Sequence, residues 1–362
     1  MFNDNNVSVF NGKKLNIKVY GASHADKIGV VVDGFNKGDS FDKALLQEFC
    51  DRRKPKKTVY STKRNEADTV NYLSGVTDLG EFDGNTLHSV IFNQDQRSKD
   101  YANVVKTPRP SHADFPAWVK YGNRFDYRGG GKFSGRMTAP ICIAGGICKQ
   151  LLQQKGISIS AYVSQIGKVK GLSYTDVDPN VPDLTDYDVN FPLADNSFKA
   201  SMEEEISTAA KNGDSVGGVV ECVVTGVPVG TGEFMFDSIE SIISHLAFGV
   251  PAIKGIEFGK GFALSALNGS VANDPLYVDG GKIKTKTNNN GGINGGLANG
   301  MPITFRVAVK PTPTILREQQ TVNLDTMENV TLTATGRHDS CIALRVVPVI
   351  EAVAAIAIYD VL

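Results

Sequence analysis

Residues Arg109–Arg136 read RPSHADFPAWVKYGNRFDYRGGGKFSGR. The stretch holds one histidine, four arginines and two lysines, and ends in three consecutive glycines before a segment patterned as a helix. That is how a chain builds a pocket for a multiply charged anion. Gly129–Gly131 let the backbone approach a ligand closely and turn its N–H groups inward. A helix opening near Ser134 adds unpaired N–H donors and the positive end of its dipole. Arg128, Lys132 and Arg136 supply full charges around the turn, and an arginine can grip phosphate or carboxylate through two parallel hydrogen bonds. The stretch therefore predicts a site for a phosphate-bearing ligand.

Glycines before a helix also make plain tight turns, so the prediction rests on the company they keep. Two common nucleotide loops are excluded. The ATPase phosphate loop requires Ser or Thr after its Gly-Lys pair, and Phe133 follows Lys132. The dinucleotide fingerprint requires glycine at its sixth position, which Ser134 takes.

Outward from this stretch, the composition is that of a globular chain: of 362 residues, 41% are hydrophobic and 21% charged. A net charge of −1 argues against a nucleic-acid binder, whose affinity comes from a basic surface. The basic residues are instead concentrated, in the run Arg52, Arg53, Lys54, Lys56 and Lys57 and again between Arg124 and Arg136. Local clusters in a near-neutral chain suit a small anionic substrate. The five cysteines (Cys50, Cys142, Cys148, Cys222, Cys341) are scattered without a Cys-x-x-Cys pair, which fits reduced cytosolic thiols and neither a disulfide frame nor a zinc site. The polar N-terminus has no signal-like apolar region, and Val346–Leu362 is short for a membrane span and carries Glu351 and Asp360. A cytoplasmic protein is expected, with no metal.

Helical periodicity marks Phe41–Arg53 with Ser40 as cap, Arg136–Gln154 with bends at Pro140 and Gly145–Gly146, Ser197–Lys211, Phe236–Phe248 and Pro348–Val361. Strand-like runs occupy Leu15–Tyr20, Gly29–Asp33, Ser89–Phe92, Val216–Val224 and Ile303–Val309. The two glycines of Val216–Val224 suggest a buried strand with a close neighbour. Without a strict strand–helix–strand rhythm, the order predicts α+β layers, not a doubly wound sheet. Thr285–Gly300 is the nearest thing to a linker and equally a ligand-contacting loop. Ser-His-Ala-Asp occurs twice, at Ser23 and at Ser111.

Set out in order, the loops resemble those of the chorismate synthase family. Gly21-Ala22-Ser23-His24-Ala25 stands where the family has Gly-Glu-Ser-His-Gly, followed by GVVVDG at Gly29–Gly34. RRKPKKTVYSTKRNEADTVNYLSGV (Arg52–Val76), NQDQRSKDY (Asn93–Tyr101), RPSHAD (Arg109–Asp114) and YRGGGKFSGRMTA (Tyr127–Ala139) are similar to its next motifs. GDSVGG, TGVP, NNNGGINGG, KPTPT and GRHDSC (Gly336–Cys341) complete the series. A dozen ordered motifs over nearly the whole chain are far more specific than any one of them.

The resemblance implies a single domain over residues 1–362 with a β-α-β sandwich fold, helices packed between antiparallel sheets, assembled as a homotetramer. It implies an anti-1,4-elimination of phosphate from 5-enolpyruvylshikimate 3-phosphate to give chorismate, in aromatic amino acid biosynthesis, with reduced FMN required. His24, His112 and Asp339 resemble the acid–base groups. Lys132, Phe133, Ser134, Pro251, Ala252, Gly295, Lys310, Pro311, Thr312, Pro313, Thr314 and Arg337 fall at flavin-contact positions, and Arg53, with Arg128 and Arg136, at anion contacts. His338 has no assigned role, and His88 and His245 read as structural. Some family members reduce their own flavin with NADPH; a chain this short, without obvious insertion, suggests an external reductant.

The chain also departs from the pattern. Ala22 and Ala25 replace Glu and Gly beside His24. Lys132-Phe133-Ser134-Gly135 replaces Arg-Ser-Ser-Ala, trading a two-pronged donor for a point charge. Pro251 replaces Asn, and an arginine expected near Val59 is absent. The alternatives are an inactive flavin- or phosphate-binding relative, opposed by the retained His24, His112, Arg337 and Asp339, and a kinase-like enzyme, opposed by the missing Gly-Lys-Ser/Thr loop.

Overall fold

A computed structural model describes residues 7–55, 66–94, 106–122, 126–174, 188–334 and 339–362. The chain opens with β1 (Val7–Asn11), β2 (Asn16–Gly21) and β3 (Lys27–Asp33), then α1 (Lys43–Asp51), β4 (Asn71–Ser74) and β5 (Leu87–Phe92). These strands form one antiparallel sheet in the order β1-β2-β3-β5-β4. Next come α2 (Asp114–Tyr121), α3 (Thr138–Gln153), β6 (Ser158–Ile166), β7 (Val169–Lys170), α4 (Lys199–Lys211), β8 (Gly218–Thr225), α5 (Ile239–Phe248) and β9 (Ile253–Phe258). After α6 (Gly269–Ala272) lie two ribbons, β10 (Leu276–Asp279) with β11 (Lys282–Thr285) and β12 (Ile293–Asn294) with β13 (Leu297–Ala298). β14 (Ile303–Val309), a third ribbon of β15 (Gln319–Asn323) and β16 (Glu328–Leu332), and α7 (Ala343–Val361) finish the chain. The second sheet is antiparallel in the order β7-β6-β8-β14-β9.

α3 packs on β2, β3 and β5, α7 packs on β6 and β8, and α3 lies against α7. α1 joins α3, and α5 joins α7. The result is a sandwich, sheet–helices–sheet, with one apolar core running through it. This burial explains why neither central helix is amphipathic: 12 of the 16 residues of α3 and 16 of the 19 of α7 are buried. Gly145 is where α3 meets α7, since a Cβ there would fall 2.3 Å from the Cβ of Ala352. Gly146 receives Leu46 and Phe49 of α1. The glycine pair therefore allows close helix approach, and α3 runs unbroken where a bend was expected. Pro140 sits in its first turn, where no N–H is needed.

Other boundaries also moved. Asp42, not Ser40, caps α1, accepting from the N–H groups of Ala44 and Leu45. α7 begins five residues before Pro348 and carries that proline inside it. The acids of α7 are buried but satisfied. Glu351 binds Arg52 through two hydrogen bonds and also Lys149, while Asp360 accepts from the backbone N–H groups of Lys13, Lys14 and Leu15. All five cysteines are unpaired and buried. Thr285–Gly300 is no linker: Asp274 fastens it through Thr287, Asn289 and Asn290. Among the described residues no helix is long and apolar enough to cross a membrane.

Candidate active site

A cavity of about 660 Å³ lies at one end of the helical layers, beside the ends of α1 and α5 and the starts of α3 and α7. Its wall carries Arg53, Arg109, Lys132, Arg136, Lys254, Lys310 and Arg345 against the carboxylates Glu66, Asp68 and Asp339, with His112 among them. Val250, Pro251, Ile253, Val346 and Val349 make an apolar side. An excess of cations beside an apolar wall suits a ligand that is anionic at one end and flat or apolar at the other.

The triple glycine is not a simple helix cap. Its φ values are +58°, +82° and +55°, which L side chains rarely adopt. A Cβ on Gly129 would fall 2.6 Å from Cδ2 of His24, and one on Gly130 would fall 3.3 Å from Nε2 of His112. The turn thus lies across both histidines, and the two copies of Ser-His-Ala-Asp meet at it. α3 begins only at Thr138, after short 3-10 turns, the second capped by Ser134. Three non-glycine residues on the cavity wall also have positive φ: Asp68 (+50°), Ser111 (+59°) and Ala252 (+76°). Such strain concentrates where a site demands a fixed backbone.

His112 is held from behind. Its Nδ1–H donates to Oδ1 of Asp114 at 2.6 Å. Arg109 grips the same carboxylate with Nη2 at 2.8 Å and Nε at 2.7 Å, while the Arg109 backbone N–H donates at 3.0 Å. Its remaining nitrogen, Nη1, reaches Oγ1 of Thr314 at 3.1 Å. Burial pushes the Asp114 carboxyl up, but the hydrogen bonds and charges of Arg109 and His112 outweigh it and hold it far below the usual carboxylate range. An ionised Asp114 keeps the His112 proton on Nδ1 and leaves Nε2 toward the glycine turn as the nitrogen that exchanges protons.

A second cluster is built for an anion. Asp68 is bound by Nη2 of Arg53 at 2.8 Å and by Nη1 of Arg136. All three residues are buried, so two guanidinium groups share one carboxylate. Burial raises the Asp68 carboxyl, and the two arginines more than reverse that. Nε of Arg53 and Nη2 of Arg136 have no hydrogen-bond partner among the described residues, although such buried donors nearly always have one. Lys310 donates to the carbonyl of Ser111 at 2.6 Å; burial, then the Lys254 charge, lowers its proton affinity.

Of the residues expected from sequence, the cavity gathers Arg53, His112, Lys132, Phe133, Ser134, Arg136, Pro251, Ala252, Lys310, Thr312, Pro313, Thr314 and Asp339. His24 is buried against Gly129 and does not line the wall. Arg128 turns away, bound to Asp126 at 2.8 and 2.9 Å. Gly295, in the exposed turn between β12 and β13, and the exposed Pro311 do not line the wall. Arg337 lies outside the described residues, as do His338, Arg124, Lys56, Lys57 and Val59. Lys132 sets its ammonium 3.6 Å from the centre of the Tyr121 ring. The sequence reading gave no role to Arg109, although it opens the RPSHAD motif, nor to Lys254 and Arg345, whose only local signal is their charge.

Comparison with known proteins gives one answer. The family model described as chorismate synthase matches residues 15–362. The chorismate synthase of Dehalococcoides mccartyi is 42% identical over 352 residues, 96% of this chain and 95% of that one. That of Thermococcus kodakarensis is 43% identical over 349 residues, 96% of each. A solved structure described as a crystal structure of chorismate synthase superposes with a TM-score of 0.74 at 25% identity, covering 97% of this chain and 92% of the other. By motif order, fold and near full-length similarity, this chain belongs to the chorismate synthase family.

Proposed function

We propose that this cavity is the active centre of a carbon–oxygen lyase of the shikimate pathway, in which 5-enolpyruvylshikimate 3-phosphate loses phosphate and a ring hydrogen by anti-1,4-elimination to give chorismate. The observation that carries the reading is the pair of donors on buried Arg53 and Arg136, unpartnered among the described residues, in the cavity that His112 faces. A departing phosphate gains charge as its bond breaks, and preorganised donors stabilise that charge more than the ground state. Lys254 and Lys310 have the charge to hold the substrate carboxylates.

The cavity also fits FMN. Lys132–Ser134, Pro251, Ala252, Lys310 and Thr312–Thr314 would hold it, the apolar wall taking the ring and the cations its phosphate. Reduced flavin, when bound, would lend electron density to the substrate ring without net redox change. The chain's own part is to bind, orient and move protons: His112 at Nε2 and Asp339 at its carboxylate, with His24, packed against Gly129, the third acid–base candidate. Gly295, Pro311 and Arg128 remain candidates for outer contacts, and Arg337 for the flavin contact that the resemblance implies.

The same reading takes the chain as one domain, working in the cytoplasm as a homotetramer with an external flavin reductant. Exposed Phe234, Met235, Phe236, Leu276, Val278 and Ile283 offer apolar surface for subunit contacts. The test is anaerobic turnover of the substrate with dithionite-reduced FMN, followed by chorismate absorbance. Turnover that disappears in His112→Ala is expected; a His112→Ala enzyme as fast as the parent would overturn the assignment of the site.

A further inference from the structure

We propose that Arg345 is a positioning residue that ties the Asp339 carboxylate to the anion cluster and fixes the distance between them. The inference rests on the reading of Asp339 as an acid–base group. Arg345 lies in the first turn of α7, beside the positive end of the helix dipole, where a cation is disfavoured unless a local partner holds it. It has two partners in the cavity wall. Nη1 donates to Oδ2 of Asp339, and Nε donates to the backbone carbonyl of Arg53 at 3.0 Å. Arg53 in turn binds Asp68, the carboxylate that Arg136 also holds.

The guanidinium is planar and rigid, so two bonds from its adjacent nitrogens set one orientation. Asp339 and the Arg53 loop belong to segments far apart in the chain, and no strand pairing joins them. Arg345 bonds to both and so bridges them directly. Asp339 is buried, so its place is set by its protein partners and not by water. The geometry therefore assigns Arg345 one effect: the Asp339 carboxylate is held at a fixed place relative to the donors that take the phosphate. Moving a reacting group by an ångström costs rate more than binding.

The experiment compares Arg345→Ala, Arg345→Lys, Asp339→Asn and the double variant Arg345→Ala/Asp339→Asn, with reduced FMN, each checked for folding by circular dichroism. kcat, the substrate KM and the Kd for FMN are measured. Asp339→Asn tests the underlying reading, and kcat equal to the parent's would defeat that reading and the inference with it. Given a large loss in Asp339→Asn, Arg345→Ala should lose kcat by about 100-fold with KM and Kd changed less than about threefold. The double variant should be no slower than Asp339→Asn, because both changes remove one function. Guanidinium ion at millimolar concentration should restore part of the kcat of Arg345→Ala and none in the double variant.

Should Arg345→Ala fail to fold, Arg345→Lys carries the test, since it keeps the charge and can reach only one of the two acceptors. It should lose kcat with unchanged FMN binding. Parent-like kcat in either Arg345 variant would refute the proposal while leaving Asp339 in place. So would losses that multiply in the double variant, or a loss confined to thermal stability.

Discussion

The sharpest consequence of the site geometry concerns Asp114→Asn. The Asp114 carboxylate accepts four hydrogen bonds: His112 Nδ1–H and Arg109 Nη2 on one oxygen, the Arg109 backbone N–H and Nε on the other. An asparagine cannot accept all four, because one of its two ends donates. Turned toward Arg109 Nε, its amide meets two donors. Turned toward His112, it meets one donor of Arg109 and forces His112 to accept at Nδ1, which moves the imidazole proton to Nε2. The second arrangement leaves fewer donors opposed, so the nitrogen toward the glycine turn becomes a donor where it was an acceptor. Arg109 is 5% and Asp114 4% exposed, so water cannot replace what is lost.

Two magnitudes follow. A misprotonated acid–base group forfeits roughly 10²- to 10⁴-fold in rate, so kcat should fall by at least ~100-fold. Breaking a buried ion pair costs about 3–5 kcal/mol, and since the amide keeps part of the network, about 3 kcal/mol of stability should go. Anaerobic turnover and urea unfolding read the two effects separately. kcat within threefold of the parent, in protein that unfolds about 3 kcal/mol more easily, would refute the tautomer argument while sparing the packing argument. Unchanged stability would refute the buried pair itself.

Three further outcomes are expected. Asp360→Ala leaves three backbone donors of the β1–β2 turn without their acceptor, one of them buried, and should cost about 3 kcal/mol in urea unfolding; a loss under ~1 kcal/mol would contradict the clasp. Gly145→Val drives a side chain into Ala352 and should destabilise by at least about 3 kcal/mol with the residual folded enzyme still active, whereas a neutral melt would mean α3 and α7 separate freely. The Asp68 and Asp114 carboxyls are depressed below 3.8, so the stability they add is present above that pH and is lost as the pH falls through their lower folded values. Thermal melts of Asp68→Asn should fall less steeply with acid than those of the parent, and parallel curves would count against the pairing.

How far the sequence reached is clear from particular residues. Ile303–Val309 was legible as a strand to the residue, because its β-branched and aromatic run lies between two strands and buries Ile303, Phe305, Val307 and Val309 on alternate positions. Three consecutive glycines required an unusual backbone, and all three have positive φ. The motif order carried the family and most of the cavity wall. β6 and β9 were missed: SISAYVSQI and IKGIEF carry small or glycine-broken patterns that become strands only when β8 and β14 pair with them from far along the chain. Arg128 reads like Arg136 in the sequence, yet a neighbouring Asp126 claims one while Asp68, brought from 68 residues away, claims the other. Arg109 meets Asp114 within its own motif, whereas the bond from Arg345 to the carbonyl of Arg53 joins residues 292 apart. Backbone conformation and apolar pattern are written locally, so the sequence by itself determined the glycine turn, the buried helices and the family. Which distant charges meet depends on distances that only packing sets, so the tertiary structure alone decided which arginines face the cavity and which of them share Asp68.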